Sequence, residues 1–148
     1  MNELSNQKIL FQKIIELSEA NNWNDAFKEW SLSHIYLQEN FCLCGHSILE
    51  NCVLINNINK NTAVVGNVCV NKFLEIDSNS LFVGLKRILR SISKSVSKKL
   101  IKFCFDKDII NFWEYKFYLD IHRKRNLTDK MVYKKTMINL KIINHFKR

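Results

Sequence analysis

Phe41-Cys42-Leu43-Cys44-Gly45-His46, answered further along by Gly66-Asn67-Val68-Cys69, is the stretch from which the fold of this chain is read. Two thiols one residue apart, followed by a glycine that relieves the backbone, form one half of a zinc site, because soft thiolates on a tight turn suit that metal. Between the two strings lie Val53-Leu54-Ile55 and Ala63-Val64-Val65, separated by Asn56-Asn57-Ile58-Asn59-Lys60-Asn61-Thr62. Two β-prone runs around a turn-rich segment predict a β-hairpin. Gly66 then permits a bend, and residues 69–76 read as the first turns of a helix. The partial positive charge at a helix start favours an ionised Cys69. Knuckle, hairpin and ligand-bearing helix predict a treble-clef-like module at residues 41–76.

Four of the five cysteines fall within residues 42–69. In a chain whose first ten residues lack a basic stretch followed by an apolar run, such clustering favours a metal over disulfides and predicts a reducing, cytoplasmic setting. Three ligands are named directly: Cys42, Cys44 and Cys69. For the fourth, His46 stands against Cys52, with His34 third. The metal reads as structural zinc, although iron suits the same thiolates. No His-Glu-x-x-His pattern, and no His-x-Glu paired with Cys-x-x-Cys, accompanies the cluster, and Glu50 is expected to be solvated. Cys104, between Phe103 and Phe105, is expected in the core.

Outward from the module the pattern is helical, so the fold class is α+β, mostly α. Leu10, Ile14 and Leu17, widened by Leu4, Phe11 and Ile15, predict an amphipathic helix over 4–20, ended by Asn21 and Asn22. A short helix from about Asn24 through Ala26, Phe27 and Trp30 is expected next, then an entry strand over 31–37. Residues 1–40 thus form an N-terminal helical approach. Residues 77–148 form a basic three-helix part, with one compact domain expected overall. Its first helix is predicted from Asp77 or Ser78 to about Phe103 on the stripe Leu81, Leu85, Ile88, Ile92 and Val96. The second is predicted from Asp106 or Asp108, and the third is capped by Thr128 and runs to Phe146.

Charge divides the chain more sharply than hydropathy does. Residues 86–148 carry 18 Lys or Arg against five acids, whereas residues 1–85 carry five Lys against nine acids. That imbalance predicts an anionic partner for the C-terminal half. Lys86, Arg90, Lys94 and Lys98 recur at helical spacing with Arg87 beside them, and Arg123, Lys124 and Arg125 add a second cluster. With no apolar run long enough to span a bilayer, no membrane association is expected. His34, His122 and His145 are scattered, and paired carboxylates, a glycine-rich phosphate loop and a Ser/His/Asp set are all missing, so neither catalysis nor a small-molecule substrate is expected. Trp113, Tyr115 and Tyr118 are candidate anchors for a protein interface, with Trp113 better suited to the core.

Cys42-x-Cys44-Gly45-His46-x-Ile48, then Cys52, Ile55, Asn56 or Asn57, Thr62 and Val65-Gly66-x-x-Cys69-x-x-x-Phe73, resembles a small zinc-finger module of phage, mobile-element and large-DNA-virus proteins. Glu29-Trp30 ahead of it fits the same pattern. Trp113-Glu114-x-x-Phe117 followed by Lys124-Arg125-x-Leu127-Thr128-x-Lys130 is similar to a helical tail that follows such fingers. Together they cover about half the chain, and the long turn over 56–62 departs from the pattern. The resemblance implies zinc on Cys42, Cys44 and Cys69 and a place in viral or mobile-element nucleic-acid metabolism, with no enzymatic activity. The function expected is a non-catalytic accessory protein that binds DNA or RNA through a basic helical face. The alternative is a small inhibitor of a host defence or transcription protein.

Overall fold

The computed structural model describes residues 3–147. They form a mixed α+β structure, more than half helical, with one three-stranded antiparallel sheet. The chain divides into two compact units, one ending at Ser78 and the other spanning Asn79–Lys147.

In the first unit, helix α1 (Glu3–Leu17) buries Asn6, Leu10 and Ile14, a run of i, i+4 steps along one face. It stops three residues before the expected end. Ser18 turns its hydroxyl back to the Ile14 carbonyl at 2.6 Å, and Asn59 and Asn61 donate to the Leu17 carbonyl at 3.0 and 2.9 Å. Those amides satisfy an oxygen that the helix end leaves without an internal partner. A single turn, α2 (Trp23–Ala26), and a 3-10 turn at Phe27–Glu29 lead into the sheet.

Strand β1 (Trp30–Phe41) is longer than the entry strand expected, because it pairs antiparallel along β2 (Ser47–Asn56). Strand β3 (Thr62–Gly66) completes the hairpin on the other edge of β2, followed directly by helix α3 (Asn67–Phe73). Ile35, Leu54 and Val65 are fully buried in the sheet.

Glu29 joins these pieces. Its carboxylate accepts the amides of Glu19 and Ala20 and the side-chain amide of Asn56, each at 2.8 Å. The Asn56 bond, followed by the Glu19 amide, holds the carboxyl below its ordinary range. A lowered folded-state value contributes stability above the ordinary carboxylate range and loses it as pH falls through the lowered value. Glu29→Gln should therefore unfold at lower denaturant than the parent at neutral pH. The gap should narrow as pH falls through the lowered value, as equilibrium unfolding at neutral and at acidic pH would read; a gap that stays constant would sink this account.

The second unit holds α4 (Asn79–Arg90), α5 (Lys98–Asp106), α6 (Phe112–Ile121) and α7 (Asp129–Phe146), four helices where three were expected. The helix predicted to reach Phe103 breaks at residues 91–97. There Ser91, Ser93, Ser95 and Ser97 alternate, and Ser97 accepts the Leu100 amide to cap α5. The break lets α5 fold against α4, where a Cβ on Gly84 would meet Leu100 Cδ2 at 2.8 Å. Helix α6 starts at neither Asp106 nor Asp108, because Asn111 and Glu114 close a reciprocal capping box ahead of it. The final helix runs from its Thr128 cap to Phe146 as expected. Cys104 is fully buried, as expected, whereas Trp113 is 56% exposed and stacks on Phe117, and Tyr118 is fully buried.

Candidate metal centre

The knuckle is built by a turn that closes on itself. Gly45 donates to the Cys42 carbonyl, and Cys42 donates to the His46 carbonyl, both at 2.8 Å. Gly45 sits at a φ of 101°, a conformation that a side chain strongly disfavours. Leu43 ties the turn to the hairpin through the Val64 carbonyl at 3.1 Å. On the far side, α3 begins as soon as β3 ends, which carries Cys69 towards the knuckle.

Cys42, Cys44 and Cys69 bring their sulfurs within 4.8 Å of one another and could hold a metal ion. The Cys44 and Cys69 sulfurs are 3.6 Å apart. Backbone amides converge on the centre. Gly66 and Cys44 donate to the Cys42 sulfur at 3.2 and 3.5 Å, and the His46 amide reaches the Cys44 sulfur. Donors aimed at sulfur stabilise thiolate charge, so the donor set fits a thiophilic metal.

Without a metal the three thiols share protons unequally. The Cys42 thiol is lowered to about 5, first because Cys69 donates to it and then through the Gly66 amide. Burial pushes Cys44 up, and Cys69 is raised by acting as donor to Cys42.

Of the three candidates for a fourth ligand, His46, Cys52 and His34, none joins the three sulfurs directly. His46 lines the same cleft of about 650 Å³ as the three cysteines, and its imidazole meets the side-chain amide of Asn6 from α1. Asn6 is buried, and its Oδ1 has no hydrogen-bond partner. Cys52 lies on β2, fully buried, with its thiol on the Ser78 hydroxyl at 3.5 Å. Burial, above all, raises that thiol to about 11. His34 is on β1, ring to ring with Tyr36. Glu50, expected in solvent, accepts from Asn67 at 2.8 Å on the cleft wall. Asn6 escaped the sequence reading, because on α1 it occupies an ordinary apolar-face position.

The basic residues lie in the second unit but not along one helix. Lys86, Arg87 and Arg90 are on α4, Lys94 is in the 91–97 loop, and Lys98 opens α5. Arg123, Lys124 and Arg125 follow α6 and are exposed. His122 turns Nδ1 to the Leu119 carbonyl at 2.9 Å. Among the described residues no helix is long and apolar enough to cross a membrane. Comparison of the chain with protein-family models, with characterised proteins and with solved structures found no match.

Proposed function

We propose that the protein is a non-catalytic, zinc-stabilised nucleic-acid-binding protein, its first unit ordered by the metal and its second unit bearing the binding surface. The observation that carries this reading is uncompensated positive charge. Arg87, Arg90, Lys94, Lys98, Arg123, Lys124 and Arg125 are all exposed, while among the described residues Lys102 pairs with Asp106 and Lys141 with Glu114. Phosphate backbones are the partner whose charge density answers such a surface. Zinc is favoured over harder cations by the three sulfur donors. We take His46 as its fourth ligand, supported by its place on the wall of the same cleft and by the engagement of Cys52 with Ser78. Knuckle, hairpin and following helix support the treble-clef-like reading and the resemblance to finger modules of phages, mobile elements and large DNA viruses. The metal would stabilise the fold of the first unit and supply no reaction chemistry.

Binding to labelled single- and double-stranded DNA and RNA, titrated with salt, tests this. If about six cations contact phosphate, log affinity falls with log salt at a slope of about −5. Replacing Arg87, Arg90 and Lys94 together by alanine should flatten that slope by about three. These contacts position a backbone without reading bases.

A second reading, an inhibitor that docks on a host defence or transcription protein, draws on exposed Leu49 and Val68 along the cleft of the first unit. Absence of nucleic-acid binding at physiological salt would favour it.

A further inference from the structure

The break between α4 and α5 brings cations from two helices onto one serine. Arg87, from α4, donates to the Ser95 carbonyl at 3.2 Å, and Lys135, from α7, donates to the Ser95 hydroxyl at 3.1 Å. Lys94 precedes Ser95 in the chain. Asn139 holds this loop in position by donating to the carbonyls of Ile92 and Lys94, both at 2.7 Å. Tyr118 locks Asn139 in turn through a 2.6 Å hydrogen bond to Oδ1, and it accepts the Val96 amide at 3.2 Å.

Lys135 is the unusual member. It is only 7% exposed, yet no carboxylate pairs with it among the described residues. Burial, and after it the neighbouring Lys94, disfavours its charged form. A buried cation without a carboxylate partner, with Lys94 near it, is electrostatically costly unless an anion completes the set. The Ser95 hydroxyl, which accepts from Lys135, keeps its own proton to donate outward. Three cationic groups and a hydroxyl donor are what a tetrahedral oxyanion requires.

We propose that Arg87, Lys94, Ser95 and Lys135 form a seat for a backbone phosphate of the bound nucleic acid. This inference rests on the nucleic-acid reading above and gives that surface a fixed point. Around the seat, exposed cations such as Arg90 and Lys98 contribute diffuse attraction, whereas the seat sets where the strand lies. Lys135 enters the surface from α7, a helix outside the row of cations at helical spacing.

The test compares the full-length protein with its Lys135→Met and Lys94→Gln variants in two arms. In the first, salt-titrated binding to a labelled oligonucleotide is measured. Each variant is expected to bind about tenfold more weakly at low salt, with a slope shallower by about one. In the second, the melting temperature is compared in inorganic phosphate and in chloride at matched ionic strength. Phosphate should raise that of the parent and lose this effect in both variants. Lys135→Met in chloride should melt no lower than the parent, because an uncompensated charge has gone. If Lys135→Met does not fold, Lys94→Gln, which alters an exposed side chain, decides. Equal binding, equal slopes and an equal phosphate effect in all three proteins would overturn the seat while leaving nucleic-acid binding intact. A phosphate effect lost in the variants, in a parent that binds no oligonucleotide, would keep the anion site and remove the nucleic-acid reading.

Discussion

Stripping the metal with a chelator, or replacing Cys44 by serine, is expected to cost the first unit on the order of 5 kcal/mol and to unfold it unevenly. The unevenness follows from where the apolar core lies. Leu10 and Ile14 of α1 and Ile35, Leu54 and Val65 of the sheet are all fully buried, so the unit has an apolar core apart from the knuckle. The knuckle is held by its turn hydrogen bonds, the Leu43 bond to the Val64 carbonyl and the bonds from Gly66 and Cys44 to the Cys42 sulfur. Hydrogen exchange should therefore show amides of Gly45 and Gly66 released on metal removal while those of Cys52 and Leu54 stay protected. Simultaneous loss of both sets would mean that the metal holds the whole unit.

Proton linkage gives the same prediction a pH dependence. With Cys42 lowered to about 5, that sulfur is already ionised at neutral pH, whereas Cys44 and Cys69, both raised, still carry protons. Metal binding should release about two protons, so apparent affinity should climb about 100-fold per pH unit near neutrality and fall as the solution is acidified. Titrations in buffers of different protonation enthalpy read that number directly.

Asn139→Ala is expected to produce the second large effect, a loss of about 2–4 kcal/mol from the helical unit. Asn139 is fully buried and makes three hydrogen bonds between 2.6 and 2.7 Å. Its removal takes the closest acceptor from the Tyr118 hydroxyl, which keeps the Val96 amide, and leaves the Ile92 and Lys94 carbonyls without this donor. The penalty arises from leaving such groups unpaired more than from the bonds themselves. Tyr118→Phe removes one end of the network and should cost about 1–2 kcal/mol. The two should be non-additive by about 1 kcal/mol, because they share a bond. Urea unfolding of the two single variants and the double variant measures this. A loss under about 0.5 kcal/mol for Asn139→Ala would show that water replaces the network.

How far the fold was legible follows from the range of the interactions involved. The cysteine strings, the hairpin and the Thr128-capped helix rest on local spacing and were readable. The break at 91–97 was hidden because Leu85, Ile88, Ile92 and Val96 keep a helical period through it. The alternating serines were the signal against continuity, and a single serine is a weak helix breaker. Abundant asparagine reads as base composition, yet Asn56, Asn59, Asn61, Asn111 and Asn139 each hold a turn, cap or loop. The full length of β1 depends on pairing with β2, and the approach of Asn6 to His46 depends on how α1 packs. Neither leaves a pattern in the local sequence. Trp113 sits on a helix whose apolar residues surround it, so periodicity alone could not separate its exposed face from the buried side marked by Tyr118 and Ile121.

The central claim is a zinc ion held by Cys42, Cys44, Cys69 and His46. The most direct test is metal content and X-ray absorption at the metal edge, on protein purified under reducing conditions without added metal. One zinc per chain, with three sulfurs and one nitrogen around it, is the predicted result. A folded protein without metal, iron in place of zinc, or four sulfurs around the ion would contradict it.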